Sequence, residues 1–283
     1  MTGTRGGARR RGLAGVALAL LAAAHAAADP VPLWEFGLGG GLVAFQDYPG
    51  STTTHVYPVP LAYLVYRGSF LRSDRDGMRG LLAEDSRVEL SISAGASAPV
   101  RNDAAREGMP ELRPTLELGP EARFHLWRSD DRRVRLDLRM PARRVITVEA
   151  SPHALGWFAA PNLNLDLRDL GGHAGWDLGL SAGPVYADRG YNSYYYSVAP
   201  EFANAARPAY LADGGYSGFA STIALSKRWP RYWCASYVHR DSLGGAVFDA
   251  SPLVHRQSYW SGGFGCAWII GASTRMVGRS DVR

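Results

Sequence analysis

Between Leu112 and Trp127 apolar and charged side chains alternate with a period of two, and this regularity limits the chain more than any other feature. Leu112, Leu116, Leu118, Ala122, Phe124 and Leu126 share one face; Arg113, Thr115, Glu117, Gly119, Glu121, Arg123 and His125 share the other. From Arg133 to Met140 the pattern recurs, with Val134, Leu136, Leu138 and Met140 against Arg133, Arg135, Asp137 and Arg139. Val88 to Ser93, Leu163 to Arg168 and Trp176 to Ser181 repeat it, and Trp260, Phe264, Cys266, Trp268 and Ile270 form one face of the last such segment. Alternation alone describes any half-buried strand, including one in a soluble sandwich with its apolar face inward. These segments run beyond the roughly 5–6 residues of an ordinary strand and reach the length of a tilted membrane strand. Their polar faces are charged, as a wet lumen requires, and the eight Trp lie near segment ends, where interfacial girdles belong.

The reading is therefore an all-β, antiparallel transmembrane β-barrel. A closed barrel pairs every backbone group without an edge, the only way strands can cross lipid. Twelve strands are predicted: Trp34 to Phe45, His55 to Tyr66, Ser69 to Asp74, Met78 to Ala83, Arg87 to Gly95, Leu112 to Trp127, Arg132 to Val148, Phe158 to Arg168, Ala174 to Tyr186, Tyr216 to Lys227, Tyr232 to Arg240 and Gln257 to Ile270. Ten is the alternative, if the short pair around Arg75-Asp76-Gly77 is not a hairpin. The short turns Ser129–Asp131, Asp169–His173 and Arg228–Arg231 are placed in the periplasm. The longer Ala96–Glu111, Glu149–Trp157, Ala187–Gly215 and Asp241–Arg256 are placed outside.

The ends support export. Arg5, Arg9, Arg10 and Arg11 precede an apolar run from Gly12 to Ala23 and small-residue sites at Ala24 to Ala28. This is the pattern of a secretory signal peptide over residues 1–28, with cleavage after Ala28 or Ala26. The barrel then occupies residues 29–270, and 271–283 form a polar tail. Four of the 31 basic residues and none of the 26 acidic ones fall in the leader. The rest is nearly neutral, so the net charge of +5 implies no nucleic-acid partner.

Catalytic signals are absent from the sequence. No Gly-x-Ser-x-Gly occurs, the seven His are scattered, and no His-x-x-x-His or Cys-x-x-Cys suggests a metal. His239, Asp241 and Ser242 are close in sequence, but adjacent strand residues point to opposite faces. No enzyme, cofactor or metal is expected.

Four motifs remain. Asp47-Tyr48-Pro49-Gly50-Ser51 leads into Val56-Tyr57-Pro58-Val59-Pro60, and Arg101 to Pro110 includes Arg106 and Gly108. Tyr194-Tyr195-Tyr196-Ser197-Val198 leads to Arg207-Pro208-Ala209-Tyr210; Asp249-Ala250-Ser251-Pro252-Leu253-Val254 precedes the last strand. In this order they resemble the MipA/OmpV family of MltA-interacting outer-membrane proteins, over nearly all of the exported chain. The resemblance implies localisation in the outer membrane of a Gram-negative bacterium. It implies a scaffold that contacts outer-membrane lipid and brings a murein lytic transglycosylase to a peptidoglycan synthase. Members are also described as adhesins, and a small pore or ligand-uptake channel is the alternative function. Family members end on an aromatic residue, whereas here the tail continues to Arg283.

Physically, Tyr48-Pro49-Gly50 is a turn. Pro58 and Pro60 are two apart, so their missing N–H groups face the same neighbouring strand, which must be open, bulged or above the hydrocarbon there. Tyr191, Tyr194, Tyr195, Tyr196, Arg207 and Tyr210 suit either a loop packed as a plug or an interface. Arg113, Glu117, Glu121, Arg123, Arg133, Arg135, Asp137, Arg139, Asp166, Arg168 and Asp177 are the expected lumen lining, paired across strands to fill it. Cys234 and Cys266 fall opposite each other if the last two strands form a hairpin near Phe248 to Ser251. They are then either a cross-strand disulfide or two lipid-facing thiols.

Overall fold

The alternating segments all become strands, each antiparallel to the next. The computed structural model describes residues 30–68, 71–74, 77–101 and 103–277. The leader and residues 278–283 of the tail lie outside the described residues. The strands are β1 (Trp34–Gln46), β2 (Thr54–Arg67), β3 (Leu71–Asp74), β4 (Gly77–Glu84), β5 (Val88–Ser97), β6 (Thr115–Arg128) and β7 (Val134–Thr147). Then come β8, in two segments (Ala154–Ala159 and Asn162–Leu167), β9 (Trp176–Ala187), β10 (Gly215–Arg228), β11 (Tyr232–Ser242) and β12 (Ser258–Ala272). β12 returns to pair with β1, from Gly262↔Ala44 to Ala272↔Glu35, so the sheet is a closed ring of twelve strands among the described residues. The doubtful hairpin exists, as β3 and β4.

Three expectations are adjusted. The predicted strand Phe158 to Arg168 starts earlier, at Ala154, and breaks at Pro161, whose ring cannot donate to a ladder. A bulge between His125 and Trp127 resets the alternation of β6, leaving both Leu126 and Trp127 exposed. The last strand runs on to Ala272, and Met276–Val277 then pairs with Val31–Pro32 in a small ribbon at the foot of the barrel.

The distribution of side chains inverts that of a soluble sandwich. Phe264 and Trp268 are 60% and 53% exposed, whereas Arg123 and Asp137 are 1% and 0% exposed. Apolar residues outside and paired charges inside are what lipid around a polar lumen selects. Seven of the Trp sit on the exposed outer surface. Trp233 is the exception: it turns inward, with its ring 5.3 Å from that of Tyr63. Cys234 and Cys266 are opposite each other on β11 and β12 and are joined as a disulfide. Their alternation with Trp233 and Ala267 puts them on the lipid face.

One stretch of wall is incomplete. β2 pairs with β3 only at Tyr66↔Ser73 and Arg67↔Arg72, and β5 meets β4 only over Glu89 to Ser93. Among the described residues no strand pairs with residues 54–62 of β2 on the side away from β1, nor with 94–97 of β5 on the side away from β6. The orientation of β2 is fixed by its two ends. Asp47 N–H donates to Thr53 O, and Arg67 N–H donates to Leu33 O. The register between them is unbroken, so odd-numbered residues make the ladder to β1 and even-numbered ones point their backbone groups the other way. Pro58 and Pro60 therefore face the vacant side, where they have no N–H to leave unpaired.

Candidate functional site

Four loops at one end of the barrel, 47–53, 98–114, 188–214 and 243–257, fold over its mouth and pack on one another. Tyr48, Val100, Leu112, Tyr195, Tyr196, Val198, Phe248 and Leu253 are buried together there. A short helix, α1 (Arg189–Tyr196), presents the tyrosines. Asp188 caps it by accepting from Tyr191 N–H, and also accepts from Trp157 N–H, both at 2.9 Å, which ties the helix to β8. Tyr196 stacks on Phe248 at 3.7 Å, and Tyr48 O–H donates to Leu253 O at 2.9 Å.

The sequence motifs meet in this cap. Ser51 Oγ donates to Asp103 Oδ2 at 2.6 Å, and Ser251 Oγ donates to Tyr196 O at 2.7 Å. Arg106 donates to Tyr195 O at 2.9 Å, beneath its cation–π contact with Tyr48. Arg207 donates to Ala105 O, Glu107 O and Phe202 O, each at 2.9 Å. Gly50 and Gly108 adopt φ of 100° and 77°, which a side chain would resist. Gly50 O accepts from both His255 and Arg256 N–H. Tyr210 reaches Val247 O at 3.4 Å, and Pro252, half-buried, follows Ser251. Pro58 and Pro60 are the motif residues outside the cap. Sequence reasoning missed Asn192, the packing roles of Phe248 and Leu253 and the capping role of Asp188; only the spacing from Asp188 to Tyr191 carried a local signal, that of a helix N-cap.

Burial shifts the titration of the cap. It pushes the Tyr48, Tyr191 and Tyr196 phenols up, and the Tyr194 phenol up to about 12. It lowers the Arg106 guanidinium and raises the Asp47 carboxyl, which the neighbouring Asp103 carboxylate raises further against the opposing pull of His55.

Below the cap the lumen has two unlike walls. On β4 to β8, Arg79 pairs with Glu89 at 2.9 Å, Arg139 with Glu121 at 2.9 Å, Arg135 with Asp137 at 3.0 Å and with Asp166 at 2.6 Å. Arg123 reaches Glu121 at 3.5 Å, His125 reaches Asp137 at 2.9 Å, and Arg143 reaches Glu117 at 3.4 Å. Asp177 faces the cavity beside them. Arg113, Arg133 and Arg168 do not line the lumen as expected: all three are exposed at the rims, because β6 and β7 start later and β8 ends earlier than the alternation suggests. The opposite wall is apolar, with Val43, Val59, Leu61, Trp233 and Tyr237 among inward glycines. Between the walls lie a cavity of about 440 Å³ and, under the cap, one of about 610 Å³; Arg139 borders both. His239 and Asp241, two apart, share the lumen face and pair at 2.8 Å, with Thr222 Oγ1 2.8 Å from the other ring nitrogen. Among the described residues no cluster of three or more His, Cys, Asp or Glu could hold a metal ion.

A closed antiparallel ring with a lipid-facing apolar surface and a polar interior defines an outer-membrane β-barrel. Residues 38–270 match the family described as MltA-interacting protein MipA. The chain belongs to this family, and its place is the outer membrane of a Gram-negative bacterium. It is also similar to the outer membrane protein Omp26La of Vibrio anguillarum, 34% identical over 87 residues, which are 30% of this chain and 32% of the relative. The match thus spans about a third of that relative's length. Among solved structures, OprG of Pseudomonas aeruginosa is 10% identical with a TM-score of 0.23, covering 84% of this chain and 94% of its own. The CymD monoaromatic hydrocarbon channel is 10% identical with a TM-score of 0.26, covering 87% and 68%. At such TM-scores they add nothing to the closure already seen in the strand pairing.

Proposed function

We propose that the protein is a non-catalytic scaffold of the outer membrane that works through contacts with cell-wall enzymes in the periplasm. The observation that carries this reading is the cap. Arg106, Arg207, Ser51 and Ser251 are engaged in holding the loops together, so the mouth is built to stay shut rather than to conduct. The family description, MltA-interacting, supports a murein lytic transglycosylase as one partner, and a peptidoglycan synthase is the second. The foot of the barrel is a firm platform for them: Glu35 pairs with Arg228 at 3.1 Å and accepts from Tyr63 O–H at 2.9 Å, while Arg67 donates to Pro32 O at 2.6 Å.

The test joins two measurements on the refolded chain. In a planar bilayer it gives no steady conductance, and as immobilised bait it retains a lytic transglycosylase from periplasmic extract when an unrelated barrel does not. Ion-selective steps without capture of any murein enzyme would overturn the scaffold and establish a pore.

A further inference from the structure

We propose that the incomplete wall between β2 and β5 is a lateral window, through which a small, largely apolar molecule passes between the lumen and the outer leaflet of the membrane. This inference is independent of the periplasmic partners. β3 and β4 stop short, so residues 54–62 of β2 and 94–97 of β5 face each other across a stretch of wall with no strand between them among the described residues. Backbone polar groups left open to lipid are costly, and barrels normally close to avoid them. Here the edge carries a partial adaptation: of the even-numbered residues 54–62 turned toward the gap, the two in the middle, Pro58 and Pro60, have no N–H. The same prolines prevent another chain from adding a strand to this edge, which argues for passage of a small molecule rather than docking of a protein.

Behind the window lies a matching site. Val59 and Leu61, on the lumen face of the β2 edge, line the 440 Å³ cavity, and Ala96 of β5 lines the cavity under the cap. The cavity is of the size of ordinary small-molecule sites, roughly 300–1,000 Å³. Its wall is Val43, Trp233 and Tyr237 on the apolar side, with Ser181, Thr222 and Asn164 as hydrogen-bonding groups opposite and Arg139 and Asp177 at the charged wall. Glycine keeps it open at one point: a Cβ on Gly263 would meet Tyr237 Cε1 at 2.8 Å and Val43 Cγ1 at 3.0 Å. The lining fits an aromatic or short aliphatic body bearing one polar group. With the mouth capped by the loops, the side of the barrel is the way in.

Both parts are testable on the full exported chain in phosphatidylcholine vesicles, each variant first checked for heat-modifiable gel mobility. For the site, p-nitrotoluene is the probe and Trp233 the reporter. Saturable quenching is expected in the native protein, and its loss in Trp233→Phe and in Ala224→Trp, which fills the cavity. Ala235→Leu serves if Ala224→Trp does not fold. Quenching that never saturates, or that the filled variants leave unchanged, would overturn the site. For the window, single cysteines at Val59→Cys and Ser181→Cys are compared, because Ser181 faces the same cavity from β9, paired on both sides. Pyrene maleimide dissolved in the lipid is expected to label position 59 on the order of tenfold faster than position 181, since only the first lies behind unpaired wall. Equal rates, after normalising to a water-soluble maleimide, would overturn the window.

Discussion

Arg207 shows what one side chain does in the cap. It reads three carbonyl oxygens on two loops with the fixed fork of a guanidinium. Removing it leaves buried acceptors without donors, at about 1–3 kcal/mol each. Arg207→Ala should therefore raise the rate of thermolysin cleavage within 98–114 and 188–214 by a factor on the order of 100, for a local loss of about 3 kcal/mol. Arg207→Lys should recover little of it, since an ammonium cannot span three carbonyls. Heat-modifiable mobility should be unchanged in both, because the strands lie elsewhere. The sequence drew attention to Arg207 through its motif but not to the atoms it holds. Two of the three, on Ala105 and Glu107, lie about a hundred positions away, and no local periodicity encodes them. Trp233 was unreadable for a different reason: abundance of Trp near strand ends suggests a girdle, while only the alternation with Cys234 tells which face each one takes.

At the level of elements, strands were legible and loops were not. Alternation follows from the pleat and needs no partner, so every strand appears in the sequence to within a few residues. The break at Pro161 and the bulge at His125 are single-residue events that interrupt this pattern without announcing themselves. The cap depends on α1, an eight-residue helix too short to persist alone. Asp188→Ala removes its N-cap and the bond to Trp157, and should destabilise the loop by about 1–2 kcal/mol, visible as faster amide exchange in 189–196 with β9 and β10 unchanged. Alkali should act on the same element. Burial holds the Tyr194 phenol protonated to about 12, while in the unfolded loop it ionises at its ordinary 10.0. The stability so contributed is complete below the unfolded value and is lost as the pH climbs through the folded one. Tyrosinate absorbance and loop proteolysis should therefore rise together between about 10 and 12, and cleavage that begins well below this window would show that Tyr194 is not held by the cap.

In the whole molecule the lumen is divided between a charged half and an apolar half, and the two are built differently. Strands β4 to β8 are tied by side-chain ion pairs, whereas β11, β12 and β1 approach closely through glycine and are tied by backbone bonds and one disulfide. The disulfide spans 32 residues, worth about 3.5 kcal/mol in the chain-entropy account. Reduction should lower the urea midpoint while leaving a closed barrel, because β11 and β12 keep a continuous ladder from Tyr232↔Trp268 to Ser242↔Ser258. A reduced protein that loses heat-modifiable mobility altogether would contradict this.

The ion pairs of the charged half have a consequence for where such a protein can work. Mobile ions weaken an interaction only where they can gather around it, within a Debye length of about 8–10 Å at physiological ionic strength. Arg79 with Glu89, and Asp137 with its partners, are enclosed by strands and roofed by the loops, whereas Arg101 with Glu111 and Arg133 with Asp131 stand in open water. Dilution or brine would thus strengthen or erase these contacts at the two rims and leave the wall untouched. A barrel that carries its counter-ions as side chains keeps one shape in fresh water and in salt.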